Sequence, residues 1–216
     1  MNDSLIKVLH LKKSIGSDGA TETIINIYNH LDRRKVKFDF LVYSYENNSN
    51  VNRIKDLGGI VHYISIAKTR LKVFRILKRI LDLYRFLKEN SYDALHINTD
   101  DPYRALELWI AKLAGVETRI IHAHGIRNAE NSGDTSALKR KVQELCKKAI
   151  SYTATDYFAC SKTVAEWMFT KEIIKSNKFR VIKNGIDVET FLFNEQKRKH
   201  YRERLRVENK FVLGHV

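Results

Sequence analysis

The stretch Phe179-Arg-Val-Ile-Lys-Asn-Gly-Ile-Asp-Val-Glu-Thr-Phe191 reads as a strand, a tight Asn-Gly turn and a second short extended run. Asn-Gly favours such a turn because both residues tolerate a left-handed backbone. A basic helical segment follows, with a charge cluster from Lys197 to Lys210, and then Phe211-Val-Leu-Gly-His-Val216, which reads as a buried strand. This order suggests that one domain closes at the Asn-Gly stretch and another opens beyond it. The expected division is 1–194 as one Rossmann-like domain and 195–216 as a linker helix plus the first strand of a second domain absent from the chain.

Working outward from that stretch, apolar runs suited to buried strands alternate with segments of helical period. Strands are expected at 5–11, 37–43, 60–64, 94–97, 118–123 and 156–160. Ile24, Ile27, Tyr28 and Leu31 fall on one helical face, and further helices are expected over about 71–89, 102–114 and 136–150. Gly58-Gly59 and Gly115 suit left-handed helix stops, Asp101 a helix cap, and Pro102 the first helical position. Such alternation predicts an α/β fold, a mainly parallel sheet with helices on both faces. Ligands then belong beyond the carboxyl ends of the strands, in the loops after His10, His96, Ala123, Cys160 and Lys183.

The 216 residues suffice for a self-supporting core. No apolar run reaches the roughly 18–20 residues that cross a bilayer, and the N-terminus lacks a secretory h-region; the expected location is cytoplasmic. Cys146 and Cys160 have neither metal nor redox spacing. The net charge of +14 points to anionic partners. Residues 68–88 carry eight Lys or Arg against one acid, Asp82. The helix expected there has an apolar half and a basic half including Lys72, Arg75, Lys78 and Arg79, with Phe86 on the charged side. It suits an anionic membrane surface at the inner face of the membrane, or else simply packs on the sheet. No nucleic-acid-binding pattern accompanies the charge, and the dinucleotide fingerprint is missing.

Three positions draw attention chemically. The loop Lys12 to Glu22, with Gly16 and Gly19, lets backbone approach a ligand at a helix N-terminus, yet matches neither G-x-G-x-x-G nor a P-loop. His122 and His124 share one face of a strand, with His96 close by; no acid or cysteine joins them at metal-ligand spacing, so no metal is expected. The polar loop from Gly125 to Thr135 offers Arg127 to a phosphate group.

Together these segments resemble the N-terminal, acceptor-side half of family 4 glycosyltransferases of the GT-B fold, as found in bacterial capsule and exopolysaccharide assembly. Gly19-Ala-Thr-Glu22 resembles the family's Gly-Gly-x-Glu turn, with Ala20 in place of the second glycine. Val181-Ile-Lys-Asn-Gly-Ile-Asp187 resembles V-x-P-N-G-[IV]-D, with Lys183 in place of proline; Ile121-His-Ala-His-Gly125 and Phe158-Ala-Cys-Ser161 are similar as well. The resemblance implies transfer of a sugar, with retained configuration, from a nucleotide-sugar donor to a saccharide or lipid-linked acceptor. It implies no cofactor. It assigns the catalytic place to His124, with His122 the alternative one pleat away, and substrate contacts to Gly16, Gly19, His96, His122, Arg127, Ser161 and Asn184. The family's E-x7-E element would lie outside the chain, so the fragment is expected to be inactive. The alternative is a non-catalytic acceptor- or membrane-binding subunit of a two-chain transferase.

Overall fold

The computed structural model describes residues 5–65, 71–126 and 137–213, apart from the side chains of Lys72 and Thr190. Arg127 therefore lies outside the described residues, as do most of the polar loop and residues 214–216. The chain divides into a large unit, Met1–Gly185, and a small one, Ile186–Val216.

The large unit is built on seven parallel strands: β1 (Ile6–Lys12), β2 (Val36–Val42), β3 (Val61–Tyr63), β4 (Ala94–Thr99), β5 (Thr118–Ala123), β6 (Asp156–Ala159) and β7 (Phe179–Val181). Their order is β3-β2-β1-β4-β5-β6-β7. Between them run α1 (Gly19–His30), α2 (Ser49–Asp56), α3 (Lys72–Glu89), α4 (Ala105–Ala114), α5 (Ala137–Thr153), α6 (Lys162–Met168) and α7 (Lys171–Lys175). The α/β expectation is met. Strands covered on both faces are apolar almost continuously, as in Phe38–Val42 of β2, where only Asp39 is polar.

The two sheet faces differ in chemistry. Leu9, Leu11, Leu41, Leu95, Ile97, Ile121 and Ala123 belong to one apolar core, which also takes in residues of α3 and α4. The other face carries Phe38, Phe40 and Val42 packed with Ile24, Ile25 and Tyr28 of α1 and Val51 and Ile54 of α2. His10, His96 and His122 alternate with the first set along their strands and so share this second face. A helix must stop cleanly to deliver the next strand. Gly115, at φ 88°, ends α4 with the Val116 amide donating to the Ala111 carbonyl at 3.0 Å.

In the small unit, a 3-10 turn (Val188–Phe191) precedes α8 (Glu195–Leu205), capped by the Asn194 side chain accepting from the Lys197 amide at 2.8 Å. Residues 211–213 do not form the expected strand. An isolated strand leaves its amides and carbonyls unpaired, and this unit has no strand among its described residues to pair with it.

Phe86 departs from expectation. Instead of joining the charged face of α3 it packs edge-on to His62 at 4.9 Å and against Tyr92 at 6.2 Å. Arg79 also leaves that face, lying over the Tyr43 ring at 5.4 Å. Only the C-terminal half of α3, through Leu83 and Leu87, is buried in the core.

A Cβ on Gly59 would stand 2.7 Å from the Phe38 carbonyl oxygen and 2.9 Å from Ile54 Cγ2, whereas one on Gly19 would meet nothing within 4 Å. We therefore expect Gly59→Ala to cost about 1–3 kcal/mol, as overpacking does. Gly19→Ala should be nearly neutral. Thermal denaturation of the two variants checks this.

Candidate functional site

The strand order reverses between β1 and β4, the place where open parallel sheets form their ligand crevice. A pocket of about 430 Å3 opens there, lined by Lys12 and Lys13 at the end of β1, Asp18 and Gly19 at the start of α1, Asn98 to Asp100 at the end of β4, His124 and Gly125 after β5, and Asn184.

The first loop is tied by Asp18. Its carboxylate caps α1, accepting from the Thr21 amide at 3.0 Å and the Thr21 hydroxyl at 2.6 Å, and it pairs with Lys12 Nζ at 3.0 Å. Burial opposes the charge on Asp18, but Thr21 and Lys12 together hold its pKa below the usual value. Lys12 is nearly buried, and burial lowers its pKa, while Asp18 and Asp100 act against the lowering. A helix N-terminus ordinarily attracts phosphate; here a carboxylate already occupies it. The pocket thus pairs Lys12 and Lys13 with Asp18 and Asp100, a donor-acceptor mixture suited to hydroxyl-rich ligands.

His124 is set by Asn98. Asn98 Nδ2 donates to the His96 carbonyl at 3.2 Å, which turns its Oδ1 towards His124 Nε2 at 2.9 Å. The hydrogen of His124 therefore sits on Nε2, leaving the lone pair on Nδ1. The same amide reaches His10 Nδ1 at 3.1 Å. Burial first, then the charge of Lys12, lower the His124 pKa to about 4, against the opposing pull of Asn184 and Asp18. The ring is neutral at neutral pH.

Beneath this pocket, four imidazoles line up. Ring centroids are 4.8 Å apart for His10–His96, 5.4 Å for His96–His122 and 4.0 Å for His122–His124. With Phe38, Ile24, Ile27 and others they line a small cavity of about 60 Å3. The Nε2 atoms of His10, His96 and His122, and Nδ1 of His124, are buried without a partner among the described residues. No group of three or more His, Cys, Asp or Glu suited to a metal ion occurs among the described residues.

Of the expected site residues, His124, Gly19 and Asn184 come together in the open pocket. His96 and His122 line the small cavity instead. Gly16 is absent from both linings and its carbonyl accepts from Asn50 Nδ2 at 3.0 Å. Ser161 caps α6, accepting from the Val164 amide at 3.2 Å. Sequence reasoning marked the loop from Lys12 to Glu22 without singling out Lys12 or Asp18 in it, and it missed Asn98. An Asp directly before a Gly-initiated helix signals a cap, but nothing local marks Asn98 as the partner of a histidine 26 residues later.

Residues 17–190 match the family model described as Glycosyltransferase Family 4. The chain belongs to that family. Its relative in Bacillus subtilis (strain 168), named "Putative glycosyltransferase EpsF", is 29% identical over 220 residues, spanning all of this chain and 55% of the relative. Among solved structures, Anabaena HepE in complex with UDP and glucose superposes with a TM-score of 0.66 at 15% identity, covering 94% of this chain and 51% of the other. A UDP-GlcNAc 2-epimerase from Neisseria meningitidis bound to UDP-GlcNAc gives 0.60 at 12% identity, covering 93% and 53%. The chain thus spans about half the length of these proteins. The fold, of GT-B type, serves transferases and an epimerase alike, so activity must be argued from the site.

The buried histidines make acid stability a test of this geometry. Burial chiefly lowers His10 to about 3 and His96 and His122 well below their ordinary value. A depressed folded-state pKa means the unfolded chain binds protons first as pH falls. Stability is therefore full above about pH 6.5 and drains below it, by up to about 1.4 kcal/mol per group per pH unit. Urea midpoints measured from pH 7.5 to 5 should fall steeply, and His122→Phe should flatten the slope by about one proton.

Proposed function

We propose that this chain is the acceptor-side domain of a glycosyltransferase that moves a sugar from a nucleotide-sugar donor to a saccharide or lipid-linked acceptor in surface polysaccharide assembly. One observation carries the reading: a neutral His124, oriented by Asn98, stands in the pocket at the strand-order reversal. Family membership and the relative named a putative glycosyltransferase support it.

In this reading His124 orients and does not abstract a proton. With Nε2–H given to Asn98 and Nδ1 buried without a partner among the described residues, the ring lines the pocket and holds Asn98 in place, and at a pKa of about 4 it is too weak a base to do more. Lys12 and Lys13 donate to further hydroxyls or to the donor's phosphate oxygens, and Asp100 accepts from hydroxyls. The acceptor oxygen bonds to the anomeric carbon, the bond from that carbon to the diphosphate breaks, and the acceptor proton passes to the leaving diphosphate. Configuration is retained and no metal is required. Because the chain spans about half the length of its relatives, we expect it to be inactive alone. We expect His124→Ala to lower kcat of the full-length gene product at least 100-fold, and Asn98→Ala at least tenfold, in a nucleotide-release assay over a donor panel. Undiminished turnover in His124→Ala overturns the reading.

The exposed start of α3 supports a place at an anionic membrane. Val73 and Phe74 are 67% and 64% exposed, and Leu77 and Leu81 about half, beside Arg75 and Lys78. No helix among the described residues is long and apolar enough to cross a membrane, so the contact would be interfacial. Basic residues near such a surface contribute about 1 kcal/mol each. Sedimentation with phosphatidylglycerol vesicles should fall as salt rises and be lost in Phe74→Glu/Leu77→Glu. Equal binding to phosphatidylcholine vesicles at any salt defeats this assignment.

A further inference from the structure

On the sheet face opposite the histidines, a second cavity of about 320 Å3 opens at the same edge. It shares Lys13, Asn98, Thr99 and Asp100 with the first pocket, so these residues form a wall between the two. Its inner residues come from three elements: Tyr43 just beyond β2, Arg79 of α3, and Arg104 with Glu107 at the start of α4.

The two arginines join Glu107 through one carboxylate oxygen and Tyr43 through its ring. Glu107 Oε1 accepts from Arg104 Nη1 at 2.8 Å and faces Arg79 Nη2 at 3.7 Å. The two guanidinium carbons lie 5.6 Å and 5.4 Å from the Tyr43 ring centroid. Yet Glu107 Oε2 and the Tyr43 hydroxyl have no partner among the described residues, although Glu107 is 1% and Tyr43 4% exposed. Buried polar groups are normally satisfied, and a phenylalanine at 43 would serve packing and the arginine contacts equally well. Two unmet hydrogen-bonding groups beside a cavity indicate a ligand that supplies the missing partners.

We propose that this cavity is the subsite for the acceptor saccharide, a pyranose whose hydroxyls engage Glu107 Oε2 and the Tyr43 hydroxyl, directly or through one water. Charge selects this chemistry over phosphate. Arg79 and Arg104 are committed to Glu107, while Asp100 and Asp101 also line the cavity and would repel an anion. A sugar hydroxyl, by contrast, donates to a carboxylate and accepts from a guanidinium at once. The two pockets adjoin through Asn98, the residue that orients His124. The inference rests on the glycosyl-transfer reading above and adds where the acceptor sits and what selects it.

The test is saturation-transfer NMR on this chain with the methyl glycosides of glucose, galactose and N-acetylglucosamine, and with pyrophosphate. At least one glycoside should bind the native chain, with Kd at least fivefold weaker in Tyr43→Phe and in Glu107→Gln. Tyr43→Phe removes no protein hydrogen bond and should melt with the native chain, so its loss of binding is not loss of fold. Binding of pyrophosphate alone overturns the proposal, as does glycoside affinity that stays within twofold in Tyr43→Phe. Transfer that depends on His124 with glycoside affinity indifferent to Tyr43 removes the subsite alone. Glycoside binding that depends on Tyr43, without transfer from any donor, keeps the subsite and removes the transferase reading.

Discussion

Pairing of β1 with β4 sets His10 beside His96 and Leu11 beside Ile97, and the rest of the architecture depends on it. The chain lays β2 and β3 to one side of β1, then crosses to start again at β4. Loops leaving β1 and β4 must therefore diverge, one turning into α1 and the other into α4. The gap they leave is the crevice. Because parallel strands all end at the same edge, β5 then delivers His124 to the opening without any special local conformation.

The two faces at that edge have been put to different uses. On one, a row of imidazoles replaces what would ordinarily be aliphatic side chains, held neutral by burial and fixed by Asn98. On the other, an aliphatic core ends in an arginine-glutamate-arginine cluster against Tyr43. Buried ion pairs are seldom the best route to stability, since desolvation offsets much of their attraction. Here the cluster joins α3, α4 and the end of β2 beside a cavity, which is where polar side chains retain a purpose.

The same helix α3 shows how a single element divides its work. Its C-terminal half meets the core through Leu83 and Leu87, and its N-terminal half keeps Val73 and Phe74 in solvent. The adjoining α4 exposes Trp109 and Leu113, and α5 exposes Leu138 and Leu145. A layer of helices with apolar residues left out and lysines and arginines between them is compatible with water yet suited to an interface.

The sequence by itself determined the alternation of strand and helix, because the apolar runs of β1, β2 and β5 and the spacing of Ile24, Tyr28 and Leu31 are local patterns. It also determined the stops at Gly58 and Gly115, which follow from one residue's backbone freedom, and the pairing of His122 with His124, which follows from the pleat. Family motifs marked His124 and Asn184. The tertiary structure alone decided that Asn98 orients His124, that Lys12 meets Asp18 at the mouth of the crevice, and that Arg79 and Phe86 turn inward from a helix face that looked uniformly charged. Each of these is a contact between residues separated by a strand, a turn or a whole crossover. Periodicity reports which face of an element a side chain occupies, but what lies against that face is fixed only when the elements pack.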